Sequence, residues 1–269
     1  MQAGQPSVTA QRVAAQRLTF DRVPAPYGDP AADDTLARDV AAAVSGEPCR
    51  MSDYLRARTR FFDRAVTGAL ARGCPQAVIG AAGYDGRALR YAKPGVRWFE
   101  VDHPVTQQDK RARLQRLGIE AGHIGFVAAD FAVDPVAGRL VAAGLAPGRP
   151  ALFLLEGVAV YLDLPVLRAL LGQLRQVAAD GSELAISLSV STNSPERAAR
   201  RAAFQAAVAA VGEPARSVLE AGDAPSPPRG GRLADLTRSR SGPAGQGRAR
   251  PPRRVHPRRA RLMVVDRSR

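Results

Sequence analysis

The chain has 269 residues, 45% of them hydrophobic, enough for one large core with a smaller cap. No run of about 18 apolar residues is present, so no spanning helix is expected; two cysteines and three histidines without ligand spacing exclude a disulfide framework and point to no metal site. The net charge of +14 would suggest a nucleic acid or an anionic surface, but residues 225–269 hold 13 arginines against Asp235 and Asp266, and residues 1–224 are nearly neutral.

Residues 1–48 carry short helical patterns broken by "VPAPYGDP". The N-terminus lacks a basic start followed by an apolar core, so it does not read as a secretory signal, and a cytoplasmic protein with reduced thiols is expected. "SDYLRARTRFFDRAVTGALARG" predicts a helix with an apolar stripe of Tyr54, Leu55, Phe61, Phe62 and Val66, ended at Gly73. An alternating series follows. "QAVIGA", "VRWFEVD", "HIGFVAADF", "PALFLLEG" and "SELAISLSVS" read as strands. "DGRALRYA", "VTQQDKRARLQRLG", "PVAGRLVAAGL" and "DLPVLRALLGQLRQVAADG" read as helices between them, and "SPERAARRAAFQAAVAAVG" as one more from Ser194-Pro195. Strands separated in this way imply βαβ units and a parallel sheet covered on both faces, an α/β fold.

The first strand runs into "GAAGYDG", a turn that can hold a ligand. A dinucleotide fingerprint counted from Gly80 would need glycines where Ala82 and Asp85 stand. Alanine hinders close approach of the backbone to a pyrophosphate, and the Asp85 carboxylate would repel it. The turn instead suits a ligand bearing positive charge, and S-adenosyl-L-methionine meets that description. Asp102, 19 residues after Gly83, ends the second strand where an acid can hold ribose hydroxyls in either cofactor class.

"VIGAAGYDGRALRY", "WFEVDHP", "AADF" and "LLEGVAVYL", preceded by "RARTRFFDRAV", resemble the successive motifs of the leucine carboxyl methyltransferase-like family of bacterial S-adenosyl-L-methionine-dependent methyltransferases, over about residues 7 to 220. The resemblance implies a Rossmann-like class I methyltransferase sheet with helices on both faces and an N-terminal helical cap. It also implies cofactor-binding roles. Arg58 would hold the cofactor carboxylate, Ala81, Gly83 and Asp85 would line the methionine end, and Asp102 would take the ribose. Asp130 and Phe131 would lie beside the adenine, and Glu156 would stand where methionine and acceptor meet. Two positions depart from the family pattern: Gly86 stands where threonine, serine or alanine is common, and Phe131 where leucine is usual. The implied reaction is methyl transfer to a carboxylate or hydroxyl oxygen of a small-molecule acceptor whose identity the sequence does not give.

The plainer readings are local. Arg58 could be one solvated helix arginine among Arg56, Arg60 and Arg64; Asp102 could cap the next helix; Asp130 could be a turn residue. Glu156, at the end of an apolar strand, should face a cleft, because an unpaired buried carboxylate costs several kcal/mol. Tyr161 reads as packing and His103 as loop, so no catalytic base is assigned, and Ser187, Ser189 and Ser191 read as the less buried face of a strand. Three segments are expected: a helical cap over 1–75, a cofactor-binding core over 76–222 and a basic tail over 223–269. The tail has seven prolines and no aromatic residue, so disorder is expected, and without aromatics for stacking it is not read as a nucleic-acid binder. The resemblance implies two antiparallel strands closing the sheet after the helix ending near Gly212; past Gly222 only "RLMVV" could pair. An out-of-frame tail is one reading of this. The alternatives to a methyltransferase are an NAD(P)-dependent oxidoreductase and a catalytically impaired cofactor-binding remnant.

Overall fold

A computed structural model describes residues 4–44, 52–190, 194–219 and 261–266. The chain begins with α1 (Val8–Arg17), α2 (Pro30–Ala42) and α3 (Ser52–Ala71). Ser7 caps α1 by accepting from the Ala10 amide, and Asp29 caps α2 by accepting from Ala32, ahead of Pro30. Then come β1 (Gln76–Gly80), α4 (Arg87–Arg90), β2 (Arg97–Asp102), α5 (Pro104–Arg116), β3 (Ile124–Ala128), α6 (Val136–Ala142) and β4 (Ala151–Leu155). A 3₁₀ turn over Ala159–Tyr161 precedes α7 (Leu164–Val177), β5 (Glu183–Leu188), α8 (Pro195–Ala209) and β6 (Arg261–Asp266).

The sheet is β3-β2-β1-β4-β5-β6, and each neighbouring pair is parallel. Alternation along the strands sorts the core into two layers. Val78, Phe99, Phe153, Leu155 and Ile186 face Val136, Leu140, Leu170 and Leu174 of α6 and α7. Ala77, Ile79, Trp98, Leu152 and Leu154 face Leu36 and Val40 of α2 and Phe62, Val66 and Leu70 of α3. Helix α3 therefore lies on a face of the sheet, while α1 comes over the carboxyl end of β1, where Ala10 meets Gly83.

The far edge differs from expectation. Where the resemblance implied two antiparallel strands, β6 runs parallel to β5, from Glu183 opposite Arg261 to Leu188 opposite Asp266. A parallel neighbour needs a long crossover rather than a hairpin, and the chain between the two strands, with α8 in it, is long enough. "RLMVV" is thus paired as its composition allowed. The expectation of disorder for the rest of the tail falls on 223–260 and 267–269, outside the described residues.

Candidate functional site

The strand order reverses between β1 and β4, and open α/β sheets bind ligands beyond the carboxyl ends of the strands at such a point. β1 leads there into a turn of left-handed backbone, with φ of 52° at Ala81 and 49° at Gly83. A methyl group at Gly83 would stand 2.7 Å from the Ala10 side chain, so glycine is what lets α1 close over the turn. The turn is tied to β2 as well. The Ala82 amide donates to Val101 across 3.2 Å, and the Gly83 amide donates to the Asp102 carboxylate, whose other oxygen accepts from His103 at 2.6 Å. Burial raises Asp102, with the two backbone donors pulling the other way.

Two carboxylates converge beyond the turn. Asp85 accepts from the Arg87 amide at 2.9 Å and meets Arg87 Nη1 at 2.5 Å and Arg17 Nη2 at 3.2 Å. Glu156, just past β4, meets Arg58 Nε at 2.8 Å, Arg87 Nη1 at 2.5 Å and Arg17 Nη2 at 3.0 Å. Arg87 continues to Asp63 of α3 at 2.7 Å, and Arg22 reaches the same carboxylate at 2.7 Å. Burial would raise all three carboxyls. At Asp85 it is outweighed by Arg17 and Arg87, and at Glu156 by Arg17, Arg87 and Arg58; both stay below the ordinary carboxylate range, Glu156 well below. Arg87 and Arg22 likewise overcome burial at Asp63 and hold it down to about 2. The site is thus a pair of ionised, buried acids arranged around guanidinium charge.

Of the predicted residues, Arg58, Asp85 and Glu156 form one network, and Gly83 and Asp102 form the hydrogen-bonded floor beside it. Arg58 is buried whereas Arg56, Arg60 and Arg64 are exposed: it lies on the apolar stripe between Leu55 and Phe62. Glu156, expected to face a cleft, lies at the end of β4 with its carboxylate enclosed by three arginines. Asp130 and Phe131 stand apart from the ion pairs. Asp130 makes local turn contacts, accepting from Ala132 and donating its amide to Asp134, and Phe131 joins Val78, Gly80, Val101 and Phe153 around a small apolar cavity. Ser187 and Ser189 are buried, at 5% and 8% exposure against 0% and 4% for Ile186 and Leu188, so they lie on the slightly less buried face of β5; Ser187 Oγ accepts from the Gly157 amide at 2.6 Å and so holds the loop carrying Glu156. His103 caps α5 through Nδ1, and Tyr161 ends the 3₁₀ turn.

Sequence reasoning missed Arg17, Asp63 and Arg87. Arg87 follows Asp85 by two residues, and Asp63 sits next to Phe62 on the inner face of α3, so a charge on a buried stripe was the available signal. Arg17 gave none, because its partners lie far along the chain. The departure at Gly86 also has a cause: any Cβ there would stand 1.8 Å from Asp33 Oδ1, an acid that Arg22 and Arg90 hold in place.

A larger groove of about 770 Å³ runs along α5 and the β3 edge, lined by Gln107, Arg111, Leu114 and Phe126 among others, and includes none of the network residues.

The description leucine carboxyl methyltransferase belongs to the family model that matches residues 9–175. A protein of Mycolicibacterium gilvum (strain PYR-GCK), described provisionally as an S-adenosyl-L-methionine-dependent methyltransferase, is 34% identical over 198 residues, 66% of this chain and 64% of its own length. One from Mycolicibacterium smegmatis with the same provisional description is 36% identical over 195 residues, 66% of this chain and 65% of its own. The chain thus spans just under two thirds of these relatives. A crystal structure of a provisionally described methyltransferase from Thermobifida fusca superposes with a TM-score of 0.53 at 19% identity, covering 81% of this chain and 78% of that one, which shows a shared fold. With its family motifs placed along a β3-β2-β1-β4-β5 sheet and matched over most of their span, this chain belongs to the leucine carboxyl methyltransferase family.

Proposed function

We propose that the protein is an S-adenosyl-L-methionine-dependent methyltransferase acting on a carboxylate or hydroxyl oxygen of a small-molecule acceptor. The observation that carries this is the paired acids Asp85 and Glu156 at the switch point, both held ionised and both satisfied by cations. A ligand whose amino acid end carries an ammonium fits that pair of acceptors. Its carboxylate fits the arginines: Arg58 is within reach of Glu156, and Arg17 Nε is a buried donor without a hydrogen-bond partner. Asp102 would take the ribose, and Phe131, on the apolar side of the β1 end, would meet the adenine.

A nicotinamide dinucleotide fits poorly. The amide at the start of α4 that would face a pyrophosphate already donates to Asp85 Oδ1, and that carboxylate would repel phosphate.

When bound, the cofactor would supply a sulfonium methyl for in-line displacement, the O–CH3 bond forming as the S–CH3 bond breaks and S-adenosylhomocysteine leaves. The protein's own contribution is alignment and exclusion of water. Asp85 and Glu156 orient the charged end, the Gly83–Asp102 floor fixes the nucleoside, and α1 covers both. Because Ala10 and Arg17 already lie on the turn, α1 must yield for a ligand to enter, and it returns to seal the site. Calorimetric titration tests this reading. Binding of S-adenosylhomocysteine without binding of NAD or NADP is expected, and the reverse pattern would end it. Mass spectrometry of methylated acids and phenols then identifies the acceptor.

A further inference from the structure

Beside the turn lies a second buried charge pair. Lys110 of α5 and Glu100 of β2 are 2% and 1% exposed, and Lys110 Nζ stands 2.6 Å from Glu100 Oε2. The same ammonium donates to the main-chain carbonyl of Asp85 at 2.7 Å. The other Glu100 oxygen, Oε1, has no hydrogen-bond partner. A buried pair left partly unsatisfied is a poor way to stabilise a fold, because a well-packed apolar pair of similar volume costs less desolvation. What it provides is a fixed direction for a hydrogen bond.

That hydrogen bond completes a clamp on one residue. The Asp85 amide donates to the Ala82 carbonyl at 2.8 Å, its carboxylate accepts from the Arg87 amide, and its carbonyl accepts from Lys110. The adjacent residue of the turn is held by the same helix: the Tyr84 hydroxyl donates to Asp109, which Arg113 meets at 2.7 Å. Gln107 Nε2 donates to the Glu100 carbonyl at 3.1 Å and keeps α5 in register with β2. Rotation of the Asp85 peptide would turn its carboxylate away from Glu156.

We propose that Lys110 is a positioning residue for the ligand site, pinning the Asp85 main chain so that its carboxylate points at the ligand's cationic end, with Glu100 holding the ammonium in place. This rests on the methyltransferase reading for the identity of the ligand.

The test uses the full chain and S-adenosylhomocysteine, comparing wild type, Lys110→Met, Asp85→Asn and the double variant by calorimetry, with urea unfolding run in parallel. Lys110→Met should weaken binding about tenfold in protein that is still folded, and about twofold or less once Asp85 is already asparagine, the signature of two residues acting through one contact. A lower unfolding midpoint with unchanged affinity would show a merely structural lysine and overturn the proposal. If Lys110→Met does not fold, Glu100→Gln decides in its place, compared with wild type above about pH 7 where Glu100 is ionised: weaker binding supports the clamp and unchanged binding refutes it. If wild type binds no S-adenosylhomocysteine, the methyltransferase reading fails by itself, and amide hydrogen exchange judges the clamp. Faster exchange at Asp85 and Arg87 in whichever variant folds sustains it; unaltered protection removes it.

Discussion

Replacing Asp85, itself 3% exposed, by asparagine would leave Arg17 and Arg87 each short of a charged partner. Breaking a buried pair from one side costs about 3–5 kcal/mol, so the urea midpoint of Asp85→Asn should fall accordingly, and S-adenosylhomocysteine binding should weaken about tenfold or more. Glu100 gives a prediction of opposite character. Burial pushes it up to about 7 from 4.5, against the pull of Lys110. The folded state therefore holds this proton where the unfolded state has lost it. The resulting contribution is present below about pH 4.5 and is lost as pH rises through about 7, a loss of about 3 kcal/mol. Thermal unfolding across that window should show a slope in wild type that Glu100→Gln reduces. Equal slopes in the two proteins would show that Glu100 titrates normally.

At the scale of elements, α1 covers the turn, and its fastening is visible. Glu213, past α8, accepts from the Val8 amide at 2.9 Å and from Ser7 Oγ at 3.2 Å, so an acid 205 residues away holds the first turn of the helix. The following segment is anchored too, with the Arg216 amide on Val160 at 2.7 Å and Leu219 on Ser189 at 2.9 Å. Glu213→Ala removes the acceptor from a helix N-terminus and should destabilise α1 by about 1–2 kcal/mol. Hydrogen exchange should quicken in α1 while the amides of β1 and β4 stay protected. Uniform quickening would mean that α1 unfolds only with the whole domain. The turn beneath α1 was legible as a turn because glycines and Asp85 interrupt an apolar strand. Its closure by Ala10 was not, since a contact between residues 10 and 83 leaves no periodicity in either segment.

For the molecule as a whole, the central strands carry the stability and the edge carries the risk. β1 and β4 are buried along their full length between two helical layers, and Phe153, 1% exposed, lies in the cluster with Leu140 and Leu174. Phe153→Ala should cost about 3–5 kcal/mol of unfolding free energy by denaturant titration. At the other extreme, β6 is joined to β5 by strand pairing over six positions. A chain ending at residue 260 would expose the hydrogen-bonding edge of β5, and its soluble yield should drop with formation of aggregates. Sedimentation showing a monodisperse, cooperatively melting truncated protein would refute that role for β6.

The order of strands and helices, the turn after β1, and the acids ending β2 and β4 were all present in the sequence, because apolar periodicity and the residues that interrupt it are local properties. The motifs along the chain were likewise enough to suggest the family. Which charges meet was decided only by the fold. Arg58 among four arginines of one helix, Arg17 on a helix without a recognisable motif, and Asp63 inside an apolar stripe acquire their partners by long-range packing. The direction of the last strand was decided there too, since a short apolar run can pair either way until a crossover sets it beside its neighbour.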